Sequence, residues 1–175
     1  EGFGNLPIDK SVEITYTGTT SAPTVTTAAP TGVTSTGATL NGTVNAGGAS
    51  TAVTFEYGTT ASYGSTVTAA QSPLTGSSNT EVNASVAGLD PNTIYHYRVK
   101  GTNTGGTATG EDMTFTTDAA EPVITSIFPN SGPTAVGTSV TITGTNFTGA
   151  TAVKFGSADA ASYTVDSATQ ITAVS

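Results

Sequence analysis

The chain has 175 residues, room for one large or two small domains, and a formal net charge of −8 with Lys10, Arg98, Lys100 and Lys154 as its four cations. So few cations cannot neutralise a row of phosphates, which excludes nucleic acid as a partner, and no apolar run approaches the roughly 18 residues of a membrane span. Charged residues make up only 9% of the chain and Cys is absent, so disulfides and thiolate metal sites are excluded as well.

Thr and Ser take the place of the missing charges, and Gly numbers 21. Thr is β-branched and suits strands, Gly suits turns, and helix formers are scarce, so the composition predicts an all-β protein. An acidic, Lys-poor surface rich in Thr and Ser is the composition of an extracellular bacterial or archaeal protein. Residue 1 is Glu, with no initiating Met and no signal peptide, so the sequence reads as a mature or excised piece.

In chain order, the first element is a strand in "KSVEITYTGTT". Val12, Ile14 and Tyr16 share one face, and Ser11, Glu13, Thr15 and Thr17 share the other. No further strands surround it, so it needs a partner elsewhere. From about Thr24 to Thr117 the alternation is easy to follow. "ATLNGTVN" is a strand bounded by the turn "AGGAS". "AVTFEYG" puts Val53, Phe55 and Tyr57 on one face, and "EVNASVAGL" groups Val82, Ala84 and Val86. "TIYHYRVKG" turns Tyr95, Tyr97 and Val99 inward and Ile94, His96, Arg98 and Lys100 outward. "DMTFTT" pairs Met113 with Phe115. Short strands between Gly-rich turns predict a sandwich.

The segment "VAGLDPNTIYHYRVKGTNTGG" resembles the junction of strands E and F in fibronectin type III domains, through Leu89, Pro91, Thr93, Tyr95, Arg98, Val99 and Asn103. The resemblance covers residues 22–118 and implies that Tyr95 forms a tyrosine corner, its hydroxyl bonded to backbone just upstream. The tryptophan common in that family is missing, so Leu40 or Val44 must fill its volume, and no RGD tripeptide is present.

After the linker "DAAEP", residues 119–175 carry "PVITSIFPNSGPTAVGTSVTITGTNFTGATAVKFGSADA". This is similar to the immunoglobulin-like IPT/TIG domain of plexins and transcription factors. The match runs through Pro122, Ile127, Pro129, Ser131, Gly132, Pro133, Gly137, Val140, Ile142, Gly144, Asn146, Phe147, Val153, Phe155 and Gly156. Val140 and Ile142 read as core, and Gly144 with Asn146 as a bulge or tight bend. The segment is shorter than such a domain and its pattern breaks off at "TQITAVS". Residues 1–21 have the form of the missing end, so the expected architecture is two immunoglobulin-like sandwiches in tandem. The second lacks its final strand or strands, which the amino-terminal segment of the same or a neighbouring copy supplies. Three topologies satisfy this: a covalent tandem repeat, strand donation between separate chains, and closure within one chain.

No G-x-S-x-G, P-loop, H-E-x-x-H or paired-acid motif occurs, so neither an enzyme nor a cofactor is expected. His96 is the single histidine; its same-face neighbours Ile94, Arg98 and Lys100 make it a residue of a solvated face. Glu111, Asp112, Asp90, Asp118 and Asp9 are turn carboxylates, and without a D-x-D-x-D-G loop they do not define a calcium site. Asn41, Asn83 and Asn146 open acceptor sequons for N-glycosylation. Tyr16, Tyr57, Tyr63 and Tyr97 are candidates for a sugar-stacking platform, with buried packing the simpler use of Tyr57 and Tyr97.

The sequence therefore predicts a structural subunit or repeat of an extracellular filament, stalk or adhesin. It is assembled head-to-tail with other copies of itself, by strand complementation or by covalent repetition. The alternative is a carbohydrate-binding or spacer module of a secreted polysaccharide-degrading enzyme, with surface glycans as partners.

Overall fold

The computed structural model describes residues 20–132 and 137–175, and those residues form strands, turns and loops without a helix. Val12, Ile14 and Tyr16 lie outside the described residues, as does Pro133.

Eight strands build the first lobe: β1 (Thr24–Thr31), β2 (Gly37–Asn45), β3 (Ala52–Gly58), β4 (Ser65–Thr68), β5 (Asn79–Ala87), β6 (Ile94–Asn103), β7 (Gly106–Thr109) and β8 (Met113–Thr116). One antiparallel sheet has the order β1-β2-β5. The other has the order β4-β3-β6, with β7 and β8 sharing the edge beside β6. Along β2 the period of two is complete. Ala38, Leu40, Gly42 and Val44 are buried, while Thr39, Asn41, Thr43 and Asn45 lie between them at the surface of the sheet. Leu40, Val44, Val53, Phe55, Tyr97 and Val99 have no exposed surface. Each such side chain contributes about 1.5–3 kcal/mol by leaving water. Tyr57, expected beside Val53 and Phe55, is only half-buried, because it sits near the strand end.

The sheets are also tied by polar groups. Tyr97 on β6 donates its hydroxyl proton to the carbonyl of Ala28 on β1 at 2.7 Å. The Val99 amide donates to Thr27 Oγ1 at 3.3 Å. Tyr95 and Tyr97 both pack on Phe115, with ring centroids 5.8 Å apart in each case.

The ends of this lobe are opposite poles. Thr20 and Ser21 are held where β2 and β6 finish: Asn103 Nδ2 donates to the Ser21 carbonyl at 3.0 Å, and Thr104 Oγ1 to Thr20 Oγ1 at 3.3 Å. Asp118 is held where β2 and β6 begin: its amide donates to the Thr34 carbonyl at 3.2 Å, and its carbonyl accepts from Asn92 at 3.0 Å. The length of β2, about 30 Å at ~3.4 Å per residue, separates the two.

The second lobe contains β9 (Val123–Phe128), β10 (Ser139–Thr145), β11 (Lys154–Phe155), β12 (Ala158–Asp159), β13 (Ser162–Ser167) and β14 (Gln170–Val174). One antiparallel sheet has the order β13-β14-β10-β9, and β11 with β12 forms a separate short hairpin. In a constant-type immunoglobulin sandwich, strands A, B, E and D make one sheet and C, F and G the other. On that plan β9, β10, β14 and β13 complete the first sheet. Of the second sheet the described residues supply only C, as β11, with its hairpin partner. Among the described residues, the positions of two strands of that second sheet are unfilled.

Candidate functional site

Across the open face of the second lobe runs an apolar groove. Its floor is the inner side of the β13-β14-β10-β9 sheet, where Val140, Ile142, Ile171 and Ala173 are buried with Phe147. Ile127 pairs directly with Ile142, and Ile124 with Gly144, which puts both isoleucines on this same inner side. Yet Ile124 is 62% exposed and Ile127 46% exposed. Among the described residues, the wall opposite is the β11–β12 hairpin, whose Phe155 is half-buried. An opening of ≈ 200 Å³ lies between Ile127, Val140 and Phe155, and another of ≈ 180 Å³ between Ile124, Ile142 and Ile171.

The local sequence explains why β9 lies as it does. A register shift between Thr143 and Gly144 is opposed by Thr125, whose hydroxyl donates to the Thr143 carbonyl at 3.1 Å. A Cβ on Gly144 would run into the Val123 carbonyl and the Phe147 ring, so only glycine lets β9 approach. Asn146, at φ 61°, turns the chain and donates from Nδ2 to the Glu121 carbonyl at 2.9 Å, fixing the start of β9.

A second cluster lies on the outer face of the first lobe. His96 Nδ1 is 2.7 Å from Asp112 Oδ2, and the Tyr63 hydroxyl donates to Asp112 Oδ1 at 2.9 Å. Arg98 lies over the Tyr63 ring, 4.7 Å from its centroid, and binds Glu56 at 2.8 Å, while Lys100 binds the same carboxylate at 3.0 Å. Burial opposes ionisation of Glu56, but the hydrogen bonds from Lys100 and Arg98 outweigh it and hold its carboxyl below the usual range. The hydrogen bond from His96, with a smaller one from Tyr63, lowers the Asp112 carboxyl despite partial burial. Burial and the bond to Asp112 raise the Tyr63 phenol. The cluster fastens the turn after β3 and the segment before β8 to the sheet.

His96 thus has partners that its strand neighbours did not reveal. Asp112 approaches from the segment ahead of β8, and nothing in the local pattern of either residue signals the meeting. The Tyr95 hydroxyl accepts a hydrogen bond from the Asp90 amide at 3.0 Å. Asn41 spends its amide on the Ala29 carbonyl at 2.9 Å and Thr31 Oγ1 at 3.2 Å, and Asn83 stands opposite it in the β2–β5 register. Tyr57 and Tyr63 line one opening together with Tyr95. Tyr97 is fully buried, Tyr57 is half-buried and Tyr63 lies beneath Arg98; Tyr16 and Asp9 lie outside the described residues. Glu111, Asp90 and Asp118 are exposed at separate turns. Leu40 and Val44 are both buried in the core.

This geometry defines an all-β module of the immunoglobulin-like sandwich class. Its second lobe carries an IPT/TIG domain, whose family pattern matches residues 122–175. Among solved structures, the chain is similar to short and long forms of the sensor domain of the anti-sigma factor RsgI4 from Pseudobacteroides cellulosolvens. The short form is 21% identical over 57% of this chain and 98% of its own, with a TM-score of 0.41. The long form is 20% identical over 59% and 97%, with a TM-score of 0.40. No curated protein matches the chain. Among the described residues there is no helix long and apolar enough to cross a membrane.

Proposed function

We infer that this chain is a structural unit of an extracellular filament, stalk or adhesin, joined head-to-tail to further copies by strand complementation or covalent tandem repetition. Residues 22–118 are read as a fibronectin type III-like spacer and residues 119–175 as the coupling lobe. The observation that supports this reading is the exposure of Ile124 and Ile127 on the inner side of the β13-β14-β10-β9 sheet. Inward side chains of a sandwich face a second sheet, and here most of that sheet comes from elsewhere. The opposite poles of the first lobe support a lengthwise arrangement, because the chain enters at one and leaves at the other. Such a heterologous contact generates an open filament unless the rotation between units closes a ring.

Negative-stain microscopy of the purified chain at rising concentration tests the proposal. Fibres of regular axial period are the expected result. Monodisperse single particles at every concentration, retained on a polysaccharide column, would replace it with a glycan-binding module.

A further inference from the structure

The groove has length, an apolar floor and a free edge, and these three features constrain what fills it. The hairpin pairing Lys154↔Asp159 and Phe155↔Ala158 uses one edge of β11 and leaves the other without a ladder partner among the described residues. A guest strand therefore finds backbone donors and acceptors on one side and apolar side chains beneath. Inward residues of a strand recur about every 7 Å, the step that also separates Val140 from Ile142 along β10. A cavity of ~150 Å³ accommodates a benzene-sized group, so each opening, ≈ 200 and ≈ 180 Å³, takes an aliphatic side chain or an aromatic ring.

One stretch of the chain has the matching sequence pattern. In residues 11–17, Val12, Ile14 and Tyr16 alternate with Glu13, Thr15 and Thr17, with a charge only on the polar face. This stretch precedes Thr20, which is held at the pole of the first lobe opposite Asp118. Two residues, Gly18 and Thr19, lie between Thr17 and Thr20, a reach of ~10 Å against the ~30 Å length of the first lobe. A reach shorter than the first lobe favours the groove of a second copy over that of the same chain.

We propose that residues 11–17 of a second copy lie in this groove as a β-strand beside β11. Val12, Ile14 and Tyr16 face Ile127, Val140, Ile142 and Phe155, and Glu13, Thr15 and Thr17 face solvent. Phe3, Leu6 and Ile8, just ahead of the strand, are the apolar residues available to cover the remaining strand position. This names the partner of the coupling lobe and rests on the reading above.

The chain contains no Cys, so paired substitutions report this contact directly. One variant carries Ile14→Cys and another Ile127→Cys, a half-exposed position that tolerates the change; they are mixed and oxidised. The expected product is a disulfide-linked dimer, several-fold above the yield from Thr15→Cys mixed with Ile127→Cys. Equal yields in the two mixtures overturn the proposal. Within one chain carrying both Ile14→Cys and Ile127→Cys, a monomeric crosslink at high dilution overturns it in favour of self-closure. Fibres without the selective crosslink leave the filament reading standing and assign the groove to another occupant. A selective dimer without fibres supports the strand donation and removes the filament.

Discussion

Ile142 and Ile127 face each other across the β10–β9 ladder, yet Ile142 is 5% exposed and Ile127 46%. Two like side chains at paired positions on one face of a sheet usually share one environment. Here the floor of the groove is sealed by Ile171 and Phe147, while the β9 side lies open.

Ile142→Ala should cost the isolated chain about 2–5 kcal/mol in the unfolding of its second lobe, the range for emptying a packed site. Ile127→Ala should cost about 1 kcal/mol or less in the isolated chain, because much of that side chain is already in water. Urea titration of both variants checks the ranking. In fibres, Ile127→Ala should lower the dissociation midpoint clearly more than its effect on the isolated chain.

Gly144→Ala should detach β9, since the new methyl group meets the Val123 carbonyl and the Phe147 ring. A loss of about 1–3 kcal/mol is expected, confined to the second lobe. Hydrogen exchange should show Val123–Phe128 exposed while β2 and β6 keep their protection. Unchanged protection of β9 would mean that the bulge accommodates a side chain.

Tyr97→Phe should remove the link to the Ala28 carbonyl and cost about 1–2 kcal/mol at neutral pH. The same residue governs alkaline stability. Burial pushes the Tyr97 phenol up to about 12 from an ordinary 10, so its contribution is complete below pH 10. Between pH 10 and 12 the unfolded chain sheds this proton while the folded chain keeps it, so stability falls. Denaturation midpoints from pH 9 to 12.5 should fall less steeply for Tyr97→Phe than for the unsubstituted chain.

Glu56→Gln should cost about 1–2 kcal/mol at pH 7, because Arg98 and Lys100 both lose their shared carboxylate. The carboxyl is lowered from 4.5 in the fold, so its contribution is present above that value and disappears as pH falls through the lower one. An acid titration followed by circular dichroism should show a step that is smaller in the variant.

Where apolar residues alternate strictly, the sequence was legible: Val53 with Phe55, and Tyr95 with Tyr97 and Val99, are buried as their periodicity requires. β4 (Ser65–Thr68) and β7 (Gly106–Thr109) were not, because four residues of Ser, Thr, Gly and Ala carry no hydrophobic period. β1 hides for a similar reason: its only half-buried large aliphatic is Val25, and its register slips between Ala28 and Thr31. The clamp of His96 on Asp112 joins residues 16 apart in sequence, and each was read by its neighbours alone as solvent-facing. In β9 the pattern "VITSIF" marks a strand but not its openness, which depends on how much of the facing sheet surrounds it.

The salt links described above have a colloidal consequence. Among the described residues, Arg98, Lys100 and Lys154 each lie within 3.0 Å of a carboxylate, so no basic side chain is left over to greet an acidic neighbour. With −8 on every copy, flanks brought alongside one another repel over a Debye length of about 8 Å in physiological saline. In the proposed filament, lengthwise contact through an apolar groove is less sensitive to that repulsion than lateral bundling. If the proposed filament forms, its threads should stay single in dilute buffer and gather into cables only when salt or divalent cations mask their sides.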